Sequence, residues 1–371
     1  MKLRNPFITS GYAGKEYFCD RKKETQKLIA ALENDRNVTL MAPRRYGKTG
    51  LIHNVFATMP KEFTGIYFDI YSVHDLSAFV RLFAENVFES LGTRKEKVLS
   101  SIAKFLKSCR PTATPQEDGS VKFSIDVAPS TAEASLKEVF AYLQTLERPV
   151  VIAIDEFQQV REFPERGVEA LLRSYIQFVP NVRFIFAGSR RHLMCEMFVS
   201  PQGPFYQSTQ ILDLLPIPCG TYGDFASSLF KSGGRTFEKA VFDALYARYD
   251  GITWYLQAIL NKIWEYGEDL QDFGQVLKAE ADLCEERALV YRDLYVAQNA
   301  SSKLVLRAIA ERRVVAEPNS ADFLSMPGLP GASTVRAALK DLDGKDIIYR
   351  SEAGWIVYDR LFGEWLRTSR I

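Results

Sequence analysis

The feature that most constrains the fold is an apolar strand that leads through a short turn into a helix, over residues 37–52, NVTLMAPRRYGKTGLI. The segment Val38–Met41 is short, apolar and partly β-branched, which is typical of a buried strand. The segment after the turn has one apolar helical stripe, formed by Leu51, Ile52, Val55 and Met59. The sequence therefore predicts a strand–turn–helix unit with Gly47 in its turn.

The turn matches a phosphate-binding pattern, G-x-x-x-x-G-K-[ST], except that Ala42 stands at the position of the first glycine. Successive backbone N–H groups and the start of a helix together bind anions. Gly47 lets the backbone approach a phosphate, Lys48 would reach the β- and γ-phosphates, and Thr49 would offer its hydroxyl to Mg²⁺. The alternative is a basic surface turn, which the flanking strand and helix disfavour. The predicted nucleotide-binding residues of the turn are Pro43, Arg44, Arg45, Tyr46, Gly47, Lys48, Thr49 and Gly50.

A second apolar run supplies acidic residues for the same chemistry. Val150–Ile154 is continuously apolar, as in a parallel strand buried on both faces, and Asp155 and Glu156 follow it directly. Open α/β sheets bind ligands at the carboxyl ends of their strands. We therefore predict that Asp155 holds Mg²⁺ through water, together with Thr49, and that Glu156 orients or activates the attacking water. An acidic strand end is common by itself, but the upstream G-K-T favours the functional reading.

A third apolar run, Val182–Ala187, is followed by Gly188, Ser189, Arg190 and Arg191. A small polar residue here could hydrogen-bond the γ-phosphate or the attacking water, and an arginine could neutralise charge on the transferred phosphoryl group. Ser189 and Arg190 therefore join Lys48 and Glu156 as catalytic candidates, although spacing alone does not decide among Ser189, Arg190 and Arg191. A solvated basic turn is the alternative.

Two further predicted strands, Thr64–Tyr71 and Thr209–Ile217, complete a set of five separated by helical stretches. Asp69, near the end of the first, either faces the nucleotide or caps a helix. This pattern predicts an α/β fold with a parallel sheet covered by helices on both faces. Residues 108–131 are rich in Pro, Thr and Ser, which indicates a hairpin or an insertion.

The rest of the chain predicts two more domains. The pattern turns helical from residue 220, and residues 300–371 have the order of a winged helix: three helices, two strands and a final helix. We therefore expect a P-loop core at 1–218, a helical domain at 219–298 and a winged helix at 299–371.

Composition excludes little. The net charge of +1 gives the whole chain no attraction for nucleic acid or an anionic membrane. The five cysteines are scattered, without a C-x-x-C pair, so neither a disulfide framework nor a zinc site is indicated. We find no signal peptide and no apolar run long enough to span a bilayer, and we expect a cytoplasmic location.

Several segments together resemble the prokaryotic STAND-type and archaeal-type ATPases of the AAA-like (ASCE) P-loop class: NPF, FCDRKKETQKL, APRRYGKT, VVIAIDEFQQV and FAGSRRHLMCEMF. The resemblance runs from Asn5 to about residue 366. It implies ATP and Mg²⁺ as cofactors, ATP hydrolysis, and a helical lid at 219–298. Members of this family often have alanine where this chain has Ala42. In the family motif F-x-G-R-x-x-E, Phe18 and Arg21 would lie near the adenine, although Asp20 replaces the usual glycine.

Two functions follow from this resemblance. The first is a Mg-dependent ATPase that acts as a nucleotide-driven regulatory switch, with a protein partner or in a homo-oligomer. The alternative is a DNA-binding winged helix whose ATP site tunes DNA affinity, with Arg336 and Lys340 on its second main helix. Residues 303–370 contain eleven basic and nine acidic residues, a weak electrostatic footprint that favours protein contacts over DNA. A structural nucleotide-binding protein is a third alternative.

Overall fold

The computed structural model describes residues 3–91, 107–115 and 121–369. The described residues form two compact units. The first, here called the sheet unit, comprises Ile8–Phe225 and Ile252–Trp254. The second, here called the helical unit, comprises the described residues of Met1–Phe7, Ala226–Gly251 and Tyr255–Ile371. The predicted helical domain and winged helix are not separated by this division, and the three-domain boundaries stay a prediction.

The sheet unit contains a parallel sheet and a separate hairpin. Its strands are β1 Val38–Met41, β2 Thr64–Asp69, β3 Arg110–Pro115, β4 Val121–Asp126, β5 Val150–Asp155, β6 Val182–Gly188 and β7 Gln210–Asp213. β3 and β4 form an antiparallel hairpin, and the other five strands pair in parallel in the order β2-β5-β6-β1-β7. The predicted α/β class is therefore confirmed. β2 ends earlier than predicted because the Asp69 carboxylate accepts a hydrogen bond from the Tyr71 backbone and starts a turn.

Helices cover both faces of this sheet. They are α1 Lys22–Glu33, α2 Lys48–Thr58, α3 Leu76–Leu91, α4 Ala132–Gln144, α5 Val168–Ile176 and α6 Arg191–Phe198. The side chains of β5 alternate between two apolar cores: Ile152 packs with residues of α3 and α4, and Ala153 packs with residues of α1 and α2. A strand that is buried on both faces must be apolar at every position, which explains the unbroken run at Val150–Ile154.

The strand order brings the predicted site together. β6 lies between β1 and β5, so three neighbouring strands end at one edge of the sheet. The phosphate-loop candidate follows β1, Asp155 ends β5, and Ser189 follows β6. Residues that are far apart in sequence therefore meet at the edge where parallel sheets bind ligands.

The helical unit continues the chain with helices and a small hairpin. Its elements are α7 Cys219–Ser232, α8 Lys239–Arg248, α9 Thr253–Glu265, α10 Phe273–Glu286, α11 Ala288–Val296, α12 Ala300–Arg312, α13 Ala321–Leu324, α14 Ala332–Gly344, β8 Ile348–Ser351, β9 Gly354–Val357 and α15 Arg360–Thr368. The first residues of α7 and α9 belong to the sheet unit. The order from α12 to α15 confirms the predicted winged helix. Among the described helices, none is both long and apolar enough to span a membrane.

Two sets of contacts stabilise the helical unit. The N-terminal residue Phe7 is fully buried, with its ring 5.3 Å from that of Phe230. Farther along the chain, the Arg248 guanidinium bonds Glu280 at 2.6 Å and Glu364 at 3.0 Å. The hydroxyl of Tyr249 donates to Glu280 at 2.6 Å. These ionic contacts join α8, α10 and α15.

Candidate active site

The turn after β1 has the backbone that a phosphate cradle needs. Gly47 has φ 88° and ψ 25°, and Arg45 also has a positive φ of 71°. Ala42 is not among the residues with positive φ. Glycine adopts a left-handed conformation without the strain that a Cβ causes, so Gly47 matters where Ala42 is tolerated. The missing first glycine therefore leaves the turn intact.

Lys48 places a buried ammonium inside this turn. It is the first residue of α2 and only 6% exposed. Its Nζ donates to the carbonyl of Ala42 at 3.3 Å and lies 3.8 Å from Oε1 of Glu156. The cation is thus positioned between the turn and the acidic strand end.

Asp155 connects three elements at the sheet edge. Its Oδ2 accepts hydrogen bonds from the hydroxyl of Thr49 at 2.7 Å and from that of Tyr67 at 3.1 Å. Burial and the charge of Asp155 raise the pKa of the Tyr67 phenol, so this hydroxyl stays a donor. The ring of His53 lies 4.8 Å from that of Tyr67. Burial lowers the pKa of the His53 imidazole, and the negative charge of Asp155 offsets only part of this effect.

The donor set at this edge fits Mg²⁺. Thr49 and Asp155 offer only oxygen atoms, which this hard cation prefers, directly or through water. Asp69 is exposed, but partial desolvation raises the pKa of its carboxyl, and the charges of Asp155 and Glu156 raise it further. The Tyr71 backbone hydrogen bond and the charge of Lys48 oppose this shift. Three carboxylates thus share one small region, and a divalent cation would neutralise their charge.

Glu156 is held in a strained and well-bonded position. Its φ of 54° is left-handed, which is unusual for a residue with a side chain. Its Oε2 accepts hydrogen bonds from the Ser189 hydroxyl and from Nε2 of Gln158, each at 2.6 Å. Glu156, Ser189 and Gln158 are all buried. Such convergence on one carboxylate fixes its orientation.

Of the three polar candidates after β6, Ser189 donates to Glu156. The guanidinium of Arg190 lies 3.3 Å from Glu162. Arg191 bonds Asp213 with two contacts, at 2.5 and 3.0 Å. The catalytic role of Arg190 stays a prediction.

Arg21 and Phe18 lie next to the turn, but they contact it differently. Arg21 is 3% exposed, and its guanidinium donates to the carbonyls of Leu215 at 2.6 Å and Tyr46 at 3.2 Å. It therefore supports the backbone of the turn. The ring of Phe18 lies against the start of α2, where a Cβ on Gly50 would be 3.3 Å from it. Their predicted roles in the base pocket stay predictions.

Sequence reasoning missed three of the residues that shape the site. Gln158 and Tyr67 bond the two acidic residues, and Trp254 contacts the turn. The Trp254 backbone N–H donates to the carbonyl of Arg45 at 3.1 Å, and the Arg45 guanidinium lies 4.8 Å over the indole. Trp254 is half-buried, whereas the adjacent Tyr255 is buried. No local pattern signals a contact of this range.

The parallel sheet, the G-K-T turn and the neighbouring acidic strand end define a P-loop nucleoside triphosphatase. Residues 18–259 match the family of the ATPase domain predominantly from Archaea, and residues 289–368 match a probable winged helix domain. The chain belongs to this archaeal-type ATPase family. It is therefore an ATPase with a C-terminal winged helix.

Solved structures share this fold over nearly the whole chain. The Walker-type ATPase PABY2304 of Pyrococcus abyssi is 19% identical, with a TM-score of 0.67, and the match covers 98% of this chain and 99% of that one. The ORC2 protein of Aeropyrum pernix, in ADPNP–ADP complexes, is 15% identical with a TM-score of 0.56, covering 98% and 96%. The Aeropyrum pernix ORC1 protein in complex with DNA is 15% identical with a TM-score of 0.52, covering 95% and 93%. No curated protein matches this chain in sequence.

Proposed function

We propose that this ATPase requires Mg²⁺ and acts as a nucleotide-driven regulatory switch. The observation that carries the proposal is the single cluster formed by Lys48, Thr49, Asp155 and Glu156 at one edge of the sheet. These four residues offer a cation for phosphate, oxygen ligands for a metal, and a base for water. No single strand end supplies all three.

Each residue of the cluster has a separate task in the proposed reaction. The backbone N–H groups of the turn bind the phosphates, and Lys48 approaches the β- and γ-phosphates. Thr49 and Asp155 hold Mg²⁺, which when bound neutralises charge on the phosphate oxygens. Glu156 orients the attacking water and accepts its proton, and the Ser189 hydroxyl contributes a hydrogen bond beside it. Arg190 is the candidate for neutralising charge on the transferred group.

The same contacts suggest how nucleotide could act as a switch. Lys48 and Ser189 both contact Glu156. A γ-phosphate competes for these two donors, so ATP binding and hydrolysis must rearrange the cluster. A protein partner or a second copy of the chain would sense the change. Because ATP is supplied in the cytoplasm, the proposal includes a cytoplasmic location.

Hydrogen exchange tests the switch. We expect the Glu156→Gln variant with Mg-ATP and the wild type with Mg-ADP to differ in amide protection at the turn and in at least one segment of the helical unit. Glu156→Gln with ADP serves as the control for the substitution itself. Identical protection in the helical unit under all three conditions would contradict the switch and leave a plain ATPase.

A second candidate function is DNA binding by the winged helix. One face of α14 is buried through Val335, Leu339 and Leu342, and the opposite face exposes Arg336 and Lys340. Within the described residues, neither of these cations has an ion pair of its own. They are thus available for backbone phosphates.

Salt-dependent binding of a fluorescent duplex tests this candidate. Neutralising each of Arg336 and Lys340 should weaken binding and flatten its salt dependence, by about one unit of slope per phosphate contact. Lys278→Ala is the control, because Lys278 is already paired with Glu268. Absent or salt-insensitive binding would exclude this function.

A further inference from the structure

Gln158 is a buried hydrogen-bond partner of Glu156. It is 3% exposed and lies two residues after Glu156, on the short helix Phe157–Glu162. Its Nε2 donates to Oε2 of Glu156 at 2.6 Å. An ionised carboxylate only accepts hydrogen bonds, so the amide must present its NH₂ group to Glu156.

Only the NH₂ half of the Gln158 amide makes a hydrogen bond. Within the described residues, Oε1 of Gln158 has no hydrogen-bond partner. A buried polar atom without a partner is unfavourable, and an apolar residue would avoid that cost. Gly188 makes room for the amide, because a Cβ at this position would lie 2.5 Å from Oε1. The position is therefore arranged around the bond that the NH₂ group makes.

The segment that carries Gln158 is anchored in the core. The adjacent Phe157 is fully buried, with its ring 4.6 Å from that of Phe186 and 5.6 Å from that of Phe205. Because Phe157 is packed in the core, we expect the neighbouring Gln158 donor to keep its position when nucleotide binds or leaves. Gln158 can therefore fix Glu156 relative to the sheet.

The other partners of Glu156 have competing tasks when ATP is bound. Lys48 is 3.8 Å from Oε1 of Glu156 and also faces the phosphate turn. The Ser189 hydroxyl follows β6 at the same edge, within reach of a γ-phosphate in the proposed reaction. Gln158 shares Oε2 of Glu156 with Ser189 and has no assigned contact with the phosphates in the proposed reaction.

We infer that Gln158 is a positioning residue that holds the Glu156 carboxylate in its reactive orientation throughout turnover. The inference rests on the proposed role of Glu156 in activating water. It predicts a loss in the chemical step when Gln158 is replaced, because a small misplacement of a base slows the reaction strongly while substrate binding is unaffected.

The main test compares Gln158→Leu with the neighbouring Gln159→Leu. Gln159 is only half-buried, and only its backbone N–H is bonded to Glu156, at the carbonyl. Gln158→Leu should lower kcat for ATP by about 10- to 100-fold with little change in KM or in the thermal midpoint, whereas Gln159→Leu should behave as wild type. Wild-type kcat in Gln158→Leu would overturn the inference.

A double-variant cycle shows whether Gln158 acts through Glu156. In a Glu156→Gln background, adding Gln158→Leu should cause no further loss of turnover. An equal further loss would mean that Gln158 acts elsewhere, and the inference would fail. If Glu156→Gln alone retained full turnover, the proposed function would fail instead, so the two failures are distinguishable.

Discussion

At the scale of single residues, Asp69 shows how the site concentrates negative charge. Partial desolvation and the charges of Asp155 and Glu156 raise the pKa of its carboxyl, although the residue is exposed. The ionised form is thus less favourable in the folded state than in the unfolded one. This cost is present at neutral pH and disappears as the pH falls through the raised pKa of the folded state.

Asp69→Asn should therefore raise the thermal midpoint of the nucleotide-free protein at neutral pH slightly, by no more than about 1 °C, because solvent screens this exposed side chain. Asparagine keeps the oxygen that accepts from the Tyr71 backbone. This gain in the thermal midpoint should be smaller at acidic pH. Thermal unfolding at neutral and at acidic pH measures the difference.

Asp75→Asn is the matched control with the opposite sign. Hydrogen bonds from the Ser77 hydroxyl and the Ala78 backbone lower the pKa of the Asp75 carboxyl. This substitution should lower the midpoint at neutral pH. A lower midpoint in Asp69→Asn at neutral pH, as in the control, would contradict the account of charge in the site.

At the scale of elements, Arg21 joins the loop before α1 to the phosphate turn. Its buried guanidinium bonds the carbonyls of Leu215 and Tyr46. Arg21→Ala leaves these carbonyls without their donor and should cost about 2–3 kcal/mol of unfolding free energy. It should also weaken ATP binding, because the turn loses its support.

Urea unfolding and nucleotide titration measure both effects. Arg21→Lys should rescue only part of the loss, since an ammonium lacks the planar fork that reaches two carbonyls. Arg36→Ala is the control, because its exposed guanidinium bonds Gln210 at 3.3 Å. Normal nucleotide affinity in Arg21→Ala would argue against a supporting role.

The sequence predicted strands and turns better than it predicted which side chains contact one another. The strand Val150–Asp155 and the turn at Gly47 follow from local patterns, because burial on both faces demands an apolar run and a left-handed turn favours glycine. The bond of Gln158 to Glu156 depends on the left-handed backbone of Glu156 at the start of a short helix. The bond of Trp254 to Arg45 depends on how separate segments pack. Arg21 was expected near the base because its neighbours resemble a motif, and only the fold reveals the carbonyls that it contacts.

At the scale of the whole molecule, the ionic contacts of Arg248 hold the helical unit together. They link α8 with α10 and with the last helix of the winged fold, at Glu280 and Glu364. Removing one partner of a buried pair leaves the other charge uncompensated. Glu280→Gln should therefore cost the unit about 3 kcal/mol.

Chemical denaturation followed by tryptophan fluorescence checks this prediction. Glu265→Gln is the control, since its side chain is 59% exposed in its pair with Lys262 and such pairs contribute little. Equal losses in the two variants would mean that the Arg248 contacts do not stabilise the unit.

The central claim is that one cluster both binds ATP and hydrolyses it. The most direct measurement is ATP hydrolysis with Mg²⁺, alongside equilibrium nucleotide binding, for the wild type, Lys48→Ala and Glu156→Gln. We predict that Lys48→Ala loses binding and turnover, while Glu156→Gln still binds ATP and loses turnover by about 10²- to 10⁴-fold. Undiminished turnover in Glu156→Gln would contradict the account.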